Sequence, residues 1–298
     1  STSGVSRRVR SEIPPRFSNE PPVFPGLADS QIRDWRGSEG IAADVRAYGE
    51  WMRNEAESLI GHLYPQATLG DGTKASPIAW IWARTVTCPN PACGVAMPLV
   101  RSYWLGKKKG KEAYVVPSVV PDPSEPSGLR VTFSIGHGKA GAPEDDGDGT
   151  VSGRTGARCI ACNSSVPVEH IRSEGKQGRI GASLMAVVGD AGRRRVYLEP
   201  TDEHRKAADV PRPAESPDGE LDYDPRAITA PNYGLSRFAD LFTNRQLLAM
   251  TTFCDLVAEA RARVVADGGT EEYADAVATY LGFGVSKAAD MNNQLVSW

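Results

Sequence analysis

The spacing of apolar residues changes three times along the chain. They recur every three or four positions over residues 39–63, which predicts a long amphipathic helix. From residue 77 the pattern changes to short runs rich in Val, Ile, Trp and Tyr that are bounded by Gly and Pro, as is typical of strands. Six strands are predicted, at 78–87, 96–105, 113–120, 129–135, 182–189 and 193–198.

The last third of the chain returns to helical spacing. Thr243 and Gln246 have the spacing of a capping box, directly before an apolar run that continues to Val264. Cys254 lies on the apolar stripe of this helix, so we expect it to be an ordinary core residue. A second helix is predicted over 271–281.

Together these patterns predict an α+β fold with a long N-terminal helix, a β-rich module and a C-terminal helical segment. The β-rich module contains a long insertion, of which residues 136–153 are rich in Gly and Asp and are predicted to be a mobile loop. The predicted segments are an extended, Pro-rich lead-in at 1–30, a helical segment at 31–76, the β-rich domain at 77–204, a linker at 205–232 and the C-terminal helical segment at 233–298.

The composition is that of a globular protein, with 40% hydrophobic and 24% charged residues. The 34 basic and 37 acidic residues give a net charge of −3, which excludes a generally basic nucleic-acid coat but not a local basic patch. No segment approaches the roughly 18 apolar residues needed to cross a bilayer. No apolar core follows the N-terminal arginines, as a secretory signal would require. We therefore expect a cytoplasmic protein without membrane association.

Four of the five cysteines fall in two close pairs, Cys88 with Cys93 and Cys159 with Cys162. A tight turn with a thiolate at each end supplies half of a tetrahedral zinc site, and two such turns complete it. Residues 94–158 separate the pairs, a long insertion that the weak length dependence of loop closure tolerates. These pairs predict that the β-rich domain is a zinc ribbon. Because four thiolates leave no open coordination position, Zn²⁺ is expected to be structural rather than catalytic.

Two alternatives for the paired cysteines remain open. They could be unrelated buried cysteines, or Cys159 and Cys162 could form a redox-active C-x-x-C motif. A thioredoxin-like motif lies at the start of a helix in a βαβ setting, whereas strand and loop sequence precedes Cys159 here.

Two basic runs are candidate nucleic-acid contacts. Residues 103–111 interleave aromatic and cationic side chains, and the second run, at 193–195, lies between two predicted strands. Lysine and arginine neutralise backbone phosphates, and exposed aromatic rings stack on bases. The candidate contact residues are Tyr103, Trp104, Lys107, Lys108, Lys109, Lys111, Arg179, Arg193 and Arg194. A solvated hairpin tip would have the same composition, so that interpretation also remains open.

The sequence contains no convincing catalytic constellation. Its four histidines have no Glu or Cys at the spacing of a catalytic metal motif, and it has neither G-x-S-x-G nor a Walker A motif. Residues 136–141 match G-x-G-x-x-G, but acidic, loop-like residues follow where a helix N-terminus would hold phosphate. No catalytic or cofactor-binding residue is therefore predicted.

Several long motifs carry a resemblance to a known family. In chain order they are I-P-P-R-F (13–17), W-R-G (35–37), D-V-R-A-Y-G-E-W-M (44–52), I-G-H-L-Y-P (60–65), A-W-I-W-A-R-T-V-T-C-P-N-P-A-C-G (79–94), W-L-G-K-K-K-G-K (104–111), E-G-K-Q-G-R (174–179) and L-F-T-N-R-Q-L-L-A-M (241–250). Together they resemble the zinc-ribbon-containing adenine-specific DNA methylases, over nearly the whole chain.

That resemblance implies a methyltransferase core split around the region seen here, with a Gly-rich S-adenosylmethionine loop before it and a catalytic D-P-P-Y motif after it. The nearest matches to the catalytic motif, Asp224-Pro225-Arg226 and Pro231-Asn232-Tyr233, cannot form the clamp that holds a flipped adenine. The family's catalytic and cofactor residues therefore do not carry over to this chain. The zinc cysteines and the basic, aromatic segment do.

On this resemblance, we expect the chain to be the central zinc-ribbon and DNA-recognition portion of a restriction or phage-defence adenine N6-methyltransferase. It should be inactive alone. S-adenosylmethionine is expected only if the missing halves complete the enzyme, and a protein subunit that carries them is a candidate partner. Two other interpretations remain open: a non-enzymatic zinc-ribbon adaptor that binds protein or nucleic acid, and a degenerate gene remnant.

Overall fold

The computed structural model describes residues 17–27, 35–144, 148–152, 155–192 and 194–295. It contains helices and antiparallel sheets, so the predicted α+β class is confirmed. The chain forms two compact units, each built from two stretches of sequence. The first unit comprises residues 1–61 and 248–292, and the second comprises residues 62–247 and 293–298.

The helices and strands alternate irregularly along the chain. The helices are α1 (Glu39–Ile60), α2 (Val168–Lys176), α3 (Asp202–Ala208), α4 (Asn244–Ala266) and α5 (Glu271–Met291). The strands are β1 (Ala67–Thr68), β2 (Lys74–Thr87), β3 (Ala96–Leu99), β4 (Trp104–Gly106), β5 (Ala113–Pro121), β6 (Leu129–His137), β7 (Gly156–Arg158), β8 (Ser165–Pro167), β9 (Gly181–Asp190) and β10 (Arg195–Leu198). Short 3-10 helices lie at Gly61–Leu63, Ala230–Tyr233 and Phe238–Leu241.

The core of the first unit lies where the apolar stripe of α1 packs against α4 and α5. Its buried residues are Ile41, Tyr48, Met52, Ala56, Leu256, Ala260, Val264, Tyr273, Ala274, Val277 and Leu281. The predicted N-terminal helix is confirmed, with its last turn tightened to a 3-10 helix. Leu59, which the pattern placed on the stripe, is exposed and Ile60 is buried instead. Helix α5 continues to Met291, well beyond its predicted end.

The prediction that Cys254 is a core residue is wrong, because its side chain is exposed. In this part of α4 the buried stripe passes through Leu256, Ala260 and Val264, which follow one another at four-residue spacing. Cys254 lies two positions before Leu256, about 200° around the helix axis. The apolar residues of this helix lie on two stripes, one through Cys254 and one through Leu256. In this part of the helix, only the stripe through Leu256 is buried by packing.

The predicted lead-in contributes to the core of the first unit. Phe17, Val23 and Phe24 pack against the buried cluster. The backbone amides of Val23 and Phe24 donate hydrogen bonds of 2.8 and 2.9 Å to the carboxylate of Asp44, which is fully buried on α1. An extended segment thus satisfies its polar groups by pairing with a side chain instead of a strand. The other residues of the lead-in, 1–16 and 28–30, lie outside the described residues.

The second unit is built from antiparallel strands. One sheet has the order β1-β2-β9-β10, and β3 pairs with the C-terminal part of β2. The insertion between the cysteine pairs forms a separate sheet of order β4-β5-β6, and β7 pairs with β8 as a hairpin. The predicted strands 78–87, 113–120, 129–135 and 182–189 lie within β2, β5, β6 and β9. The predicted strand 96–105 is two strands, because the chain leaves its sheet after Leu99 and enters another at Trp104.

Two short helices of the second unit were not predicted from the sequence. Helix α2 is nine residues long and polar overall, too short for helical periodicity to identify. Helix α3 begins with a capping box in which the Thr201 hydroxyl accepts from the His204 amide and the Thr201 amide donates to the His204 ring. It covers the start of the segment 205–232, which was predicted to be a linker and lies within the second unit.

The predicted loop at 136–153 is ordered at both of its described ends. Its first two residues complete strand β6. Near its other end Thr150 is buried, and its hydroxyl donates to the carbonyl of Pro98. No helix follows the G-x-G-x-x-G sequence within the described residues of this segment, which omit 145–147 and 153. Among its described residues, the segment therefore offers no helix N-terminus that would bind a dinucleotide phosphate.

A contact between two glycines joins α2 to the 3-10 helix at Ala230–Tyr233. A Cβ atom on Gly234 would lie 2.0 Å from the carbonyl oxygen of Gly175, and Gly234 has a φ of +84°. A Cβ on Gly175 would lie 2.5 Å from the carbonyl oxygen of Tyr233. Both positions therefore require glycine for close approach of the two backbones.

We expect Gly234→Ala to destabilise the second unit by more than backbone strain alone. A left-handed alanine costs about 1–2 kcal/mol, and the clash with the Gly175 carbonyl adds to it. Gly138→Ala is the matched control, because Gly138 has a φ of +76° but a Cβ there would meet open space, with no contact within 4 Å. Free energies of unfolding from urea titration measure the difference. Equal losses for the two variants would show that the glycine contact is unimportant.

Candidate metal centre and basic groove

The first cysteine pair lies in the turn between β2 and β3. The amide of Cys88 donates to the carbonyl of Val95 at 2.9 Å, which closes the base of the turn. Within it, the amides of Cys93 and Gly94 both donate to the carbonyl of Asn90, at 2.9 and 3.0 Å. Gly94 has a φ of +57°, a conformation that glycine adopts at little cost. The enlarged C-x-x-x-x-C spacing is thus folded into a compact hydrogen-bonded loop.

The second pair lies in the turn between β7 and β8. The amide of Cys159 donates to the carbonyl of Ser164 at 2.9 Å, and the amide of Asn163 donates to the carbonyl of Cys159 at 2.9 Å. Asn163, directly after Cys162, has a φ of +61°. Asparagine tolerates this left-handed conformation better than most residues. In both turns, therefore, a left-handed residue follows the second cysteine and turns the chain back into a strand.

The two turns bring all four thiols together. The four sulfur atoms lie within 4.8 Å of one another, and each thiol is free. Cys88 Sγ is 3.7 Å from Cys162 Sγ, and Cys93 Sγ is 3.8 Å from Cys159 Sγ. Metal–sulfur bonds of about 2.3 Å in a tetrahedron require sulfur separations of about 3.8 Å. The predicted ligand set is therefore close enough to hold one metal ion.

The site is embedded in an apolar cluster. Cys88, Cys93 and Cys159 are buried, whereas Cys162 is half-buried. They belong to the cluster that includes Val95, Met97 and Val166, and also Val86, Ala157 and Ile171. Four sulfur donors with apolar surroundings suit a closed, structural metal site, since they leave no place for a bound water or substrate. The metal would join two hairpins that are remote in sequence.

Thiol acidity differs across the site. Burial raises the pKa of Cys88 to about 12 and also raises the pKa of Cys93. Hydrogen bonding with the Ser164 side chain and amide lowers the pKa of Cys162 to about 6. Because metal binding requires thiolates, loading of the site releases protons, and it should weaken as the pH falls.

Two polar residues that were not predicted as site residues lie beside Cys162. Ser164 Oγ lies 3.3 Å from Cys162 Sγ, and Asn90 Nδ2 lies 3.7 Å from the same sulfur. Asn90 Nδ2 also donates to Ser164 Oγ at 3.2 Å. The sequence does place Asn90 and Ser164 within the two cysteine turns, and this position could have identified them. Polar groups around a metal site commonly form hydrogen bonds with the ligands.

The C-x-x-C pair does not have the setting of a thioredoxin-like motif. Cys159 and Cys162 lie in a turn between two strands of a hairpin, and the next helix, α2, begins only after β8. A redox-active C-x-x-C instead places its first cysteine at a helix N-terminus, which lowers the thiol pKa. Cys159 is also buried.

Two basic runs that are remote in sequence meet at one open groove of about 580 Å³. Lys111 reaches it from the turn between β4 and β5, Arg194 from the turn between β9 and β10, and Arg195 from the first position of β10. All three residues are exposed. The hydroxyl of Tyr197 on β10 donates to the carbonyl of Leu105 on β4 at 3.0 Å, which holds the two turns side by side.

The groove also contains carboxylates. Asp71 and Glu112 are among its lining residues. Hydrogen bonds from Thr73 lower the pKa of Asp71, and backbone amides, its own and that of Gly110, lower the pKa of Glu112. Both carboxylates are therefore ionised at neutral pH and satisfied by donors of their own loops. Lys111, Arg194 and Arg195 are exposed in the same groove, and the charge of Arg194 also contributes to the lowered pKa of Asp71.

Tyr103 cannot act as an exposed stacking residue, so that prediction is wrong. Its side chain is only 7% exposed and lies in the core cluster with Leu105, Val115 and Phe133. Its hydroxyl has no hydrogen-bond partner among the residues that the structure describes. Burial by the inserted sheet overrides the exposure expected of an aromatic residue beside a lysine run.

Trp104 and the lysines after it lie at the edge of the inserted sheet. Trp104 is half-buried and contacts Tyr114 edge-to-face, with ring centroids 5.8 Å apart. Lys107 Nζ lies 5.5 Å from the Trp104 ring centroid, within cation–π range. Lys108 and Lys109 are exposed in the same turn. These predicted contact residues therefore remain available at the surface.

The remaining predicted contacts are separated from this groove or undescribed. Arg179 precedes β9, at the end opposite to Arg194, and the ten residues of β9 span about 30 Å. Its guanidinium donates to the Glu174 carboxylate at 2.9 Å. The structure thus does not bring Arg179 together with the other basic residues. Arg193 lies outside the described residues.

Comparisons with known proteins leave the family resemblance without support or contradiction. Neither a scan of protein-family models nor searches of curated proteins and solved structures found a match to this chain. Among the described residues, no helix combines the length and apolar character that crossing a membrane requires.

Proposed function

We propose that the four clustered cysteines hold a structural Zn²⁺. A tetrahedral set of four thiolates favours zinc or an iron–sulfur cluster over harder ions such as Mg²⁺ or Ca²⁺. The spacing of the sulfur pairs, 3.7 and 3.8 Å, supports a single ion. Bound there, Zn²⁺ would supply a cross-link between the β2–β3 and β7–β8 turns and no reaction chemistry.

We further propose that the chain is the zinc-ribbon and DNA-recognition portion of an S-adenosylmethionine-dependent adenine N6-methyltransferase, without methyl transfer of its own. The observation that carries DNA binding is the convergence of Lys111 with Arg194 and Arg195 at one groove. The methyltransferase assignment rests on the motif resemblance, and the proposed DNA-binding groove is compatible with it because adenine-specific DNA methylases act on DNA. S-adenosylmethionine and the catalytic motif would come from the family's other two regions, and methylation of DNA by this chain alone would overturn that part.

In this function the groove binds the DNA backbone. The ammonium of Lys111 and the guanidiniums of Arg194 and Arg195 neutralise phosphates, which positions the duplex without reading its sequence. Trp104 on β4 and Lys107, on the same turn as Lys111, extend the surface. The metal cross-link would fix the β2–β3 hairpin against the β7–β8 hairpin, and β2 belongs to the sheet whose strand β10 lines the groove.

Charge reversal tests this surface. The double variant Lys111→Glu, Arg194→Glu should bind duplex DNA more weakly. The magnitude of its negative slope of log affinity against log salt should decrease by about 1.8, because each lost phosphate contact removes about 0.9. Fluorescence anisotropy over a salt titration measures both affinity and slope. Lys206→Glu is the control, because Lys206 is exposed on α3 and does not line the groove.

A non-enzymatic adaptor is a second candidate function, favoured by an exposed aromatic pair on α5. Tyr280 and Phe283 are 55% and 65% exposed, with ring centroids 6.4 Å apart. Exposed apolar side chains that lie side by side, as these rings do, are more typical of a protein contact than scattered ones. If the double charge reversal leaves DNA affinity and its salt slope unchanged, DNA recognition through the groove is refuted and the adaptor is favoured.

A further inference from the structure

We propose that Cys162 is the peroxide-sensitive modification site of the metal centre, and that its oxidation forms a disulfide with Cys88 across the two turns. This inference rests on metal binding by the four cysteines. Of the four thiols, Cys162 alone is not buried. Its sulfur lies 3.7 Å from that of Cys88, which belongs to the other turn.

Access distinguishes Cys162 from the other ligands. The relative exposure of Cys88, Cys93 and Cys159 is 3%, 7% and 2%, so a dissolved oxidant does not reach them directly. The sulfur of Cys162 is bordered by Ser164 Oγ and Asn90 Nδ2, at 3.3 and 3.7 Å. A small polar oxidant such as hydrogen peroxide can bind beside these groups, whose hydrogen atoms can stabilise the leaving hydroxide.

The chemistry requires two electrons from two thiolates. The Cys162 thiolate attacks one oxygen of hydrogen peroxide, the O–O bond breaks, and a sulfenic acid and hydroxide form. The Cys88 thiolate then attacks the oxidised sulfur, which forms the S–S bond and expels a second hydroxide. Both hydroxides take protons from solvent. The two cysteines are oxidised to one disulfide, and one peroxide is reduced to two waters.

The expected product differs from the one that the sequence suggests. A C-x-x-C motif would ordinarily close on itself, joining Cys159 to Cys162. In this structure Cys159 is instead 3.8 Å from Cys93, its own partner across the turns. A Cys88–Cys162 disulfide removes two of four metal ligands but keeps the two turns linked. Oxidation should therefore release the metal without separating the hairpins.

The test begins with the metal-loaded wild-type chain and limiting hydrogen peroxide. A chromophoric chelator measures released metal, and differential alkylation with mass spectrometry identifies each disulfide. We expect one metal ion released per Cys88–Cys162 disulfide, and recovery of the site after reduction and addition of Zn²⁺. A Cys159–Cys162 disulfide, or metal release without any disulfide at Cys162, would overturn the proposal. Absence of metal before peroxide is added would instead refute metal binding itself.

Two variants sharpen the test. Cys254→Ser removes an exposed thiol outside the cluster, so metal release should remain as in the wild type. Cys162→His retains four possible ligands but removes the accessible sulfur, so it should bind metal and resist its release by peroxide. Release from this variant at the wild-type rate would contradict the assignment. If it does not load metal, the disulfide mapped in the wild type still decides the question.

Discussion

Replacing Cys93 with serine should abolish metal binding and unfold the β-rich second unit. A neutral hydroxyl is a poor substitute for a thiolate ligand. Structural Zn²⁺ contributes an apparent binding free energy of about 10–16 kcal/mol in small zinc-binding domains, whereas whole domains are stable by only about 5–15 kcal/mol. Cys93 is also buried beside Val95 and Met97, so the unliganded hydroxyl would remain in an apolar core.

Metal content and thermal unfolding monitored by circular dichroism measure this loss. Cys254→Ser is the matched control, because it removes an exposed thiol and should retain one metal ion per chain. A strong chelator added to the wild type should reproduce the behaviour of Cys93→Ser. A Cys93→Ser protein with wild-type metal content, or with an unchanged unfolding transition, would show that the cluster does not stabilise the fold.

The metal site was predictable because its information is local. Each cysteine pair lies within one turn, and the residues that shape the turn, such as Gly94 and Asn163, adjoin the ligands. The sequence could not show which sulfurs face one another, since that depends on how the two hairpins pack. The basic groove was only half predictable for the same reason. Both runs were visible, but their meeting depends on β10 lying beside β4.

The errors arise where tertiary packing decides between two faces. Tyr103 belongs to a basic, aromatic run, yet the inserted sheet covers its side chain and leaves Trp104 at the surface. Cys254 fits a helical stripe, yet the neighbouring helices cover Leu256 and its stripe instead. In both cases the two residues are one or two positions apart and lie in similar local sequence. Only the position of a distant element determines which one is buried.

Removal of the Asp44 carboxylate should destabilise the first unit by several kcal/mol. Asp44 is fully buried and accepts hydrogen bonds from the amides of Val23 and Phe24 and from the hydroxyl of Tyr273, at 2.8, 2.9 and 2.8 Å. In Asp44→Ala these three donors lose their acceptor, and each unsatisfied buried donor costs about 1–3 kcal/mol. Asp44→Asn should be intermediate, because one acceptor oxygen remains.

Urea unfolding and limited proteolysis measure two consequences of this change. Glu50→Ala is the control on the same helix, because Glu50 forms an exposed pair with Arg53, and exposed ion pairs contribute about 0.2–1 kcal/mol. Proteolysis within residues 17–27 should accelerate in Asp44→Ala and not in the control, since Asp44 anchors that segment. Unchanged protection of the segment would contradict this anchoring role.

Alkaline pH gives an independent measurement of the same network. Burial, together with the hydrogen bond to Asp44, raises the pKa of Tyr273 above its usual value of 10.0. Below pH 10 the hydroxyl is protonated in both the folded and unfolded chain, so this contribution to stability is complete. Above it the unfolded tyrosine ionises first, so stability should fall as the pH rises toward the folded pKa. Asp44→Ala removes one cause of the raised pKa of Tyr273, the hydrogen bond to Asp44. The free energy of unfolding of this variant should therefore decrease less between neutral and alkaline pH than that of the wild type.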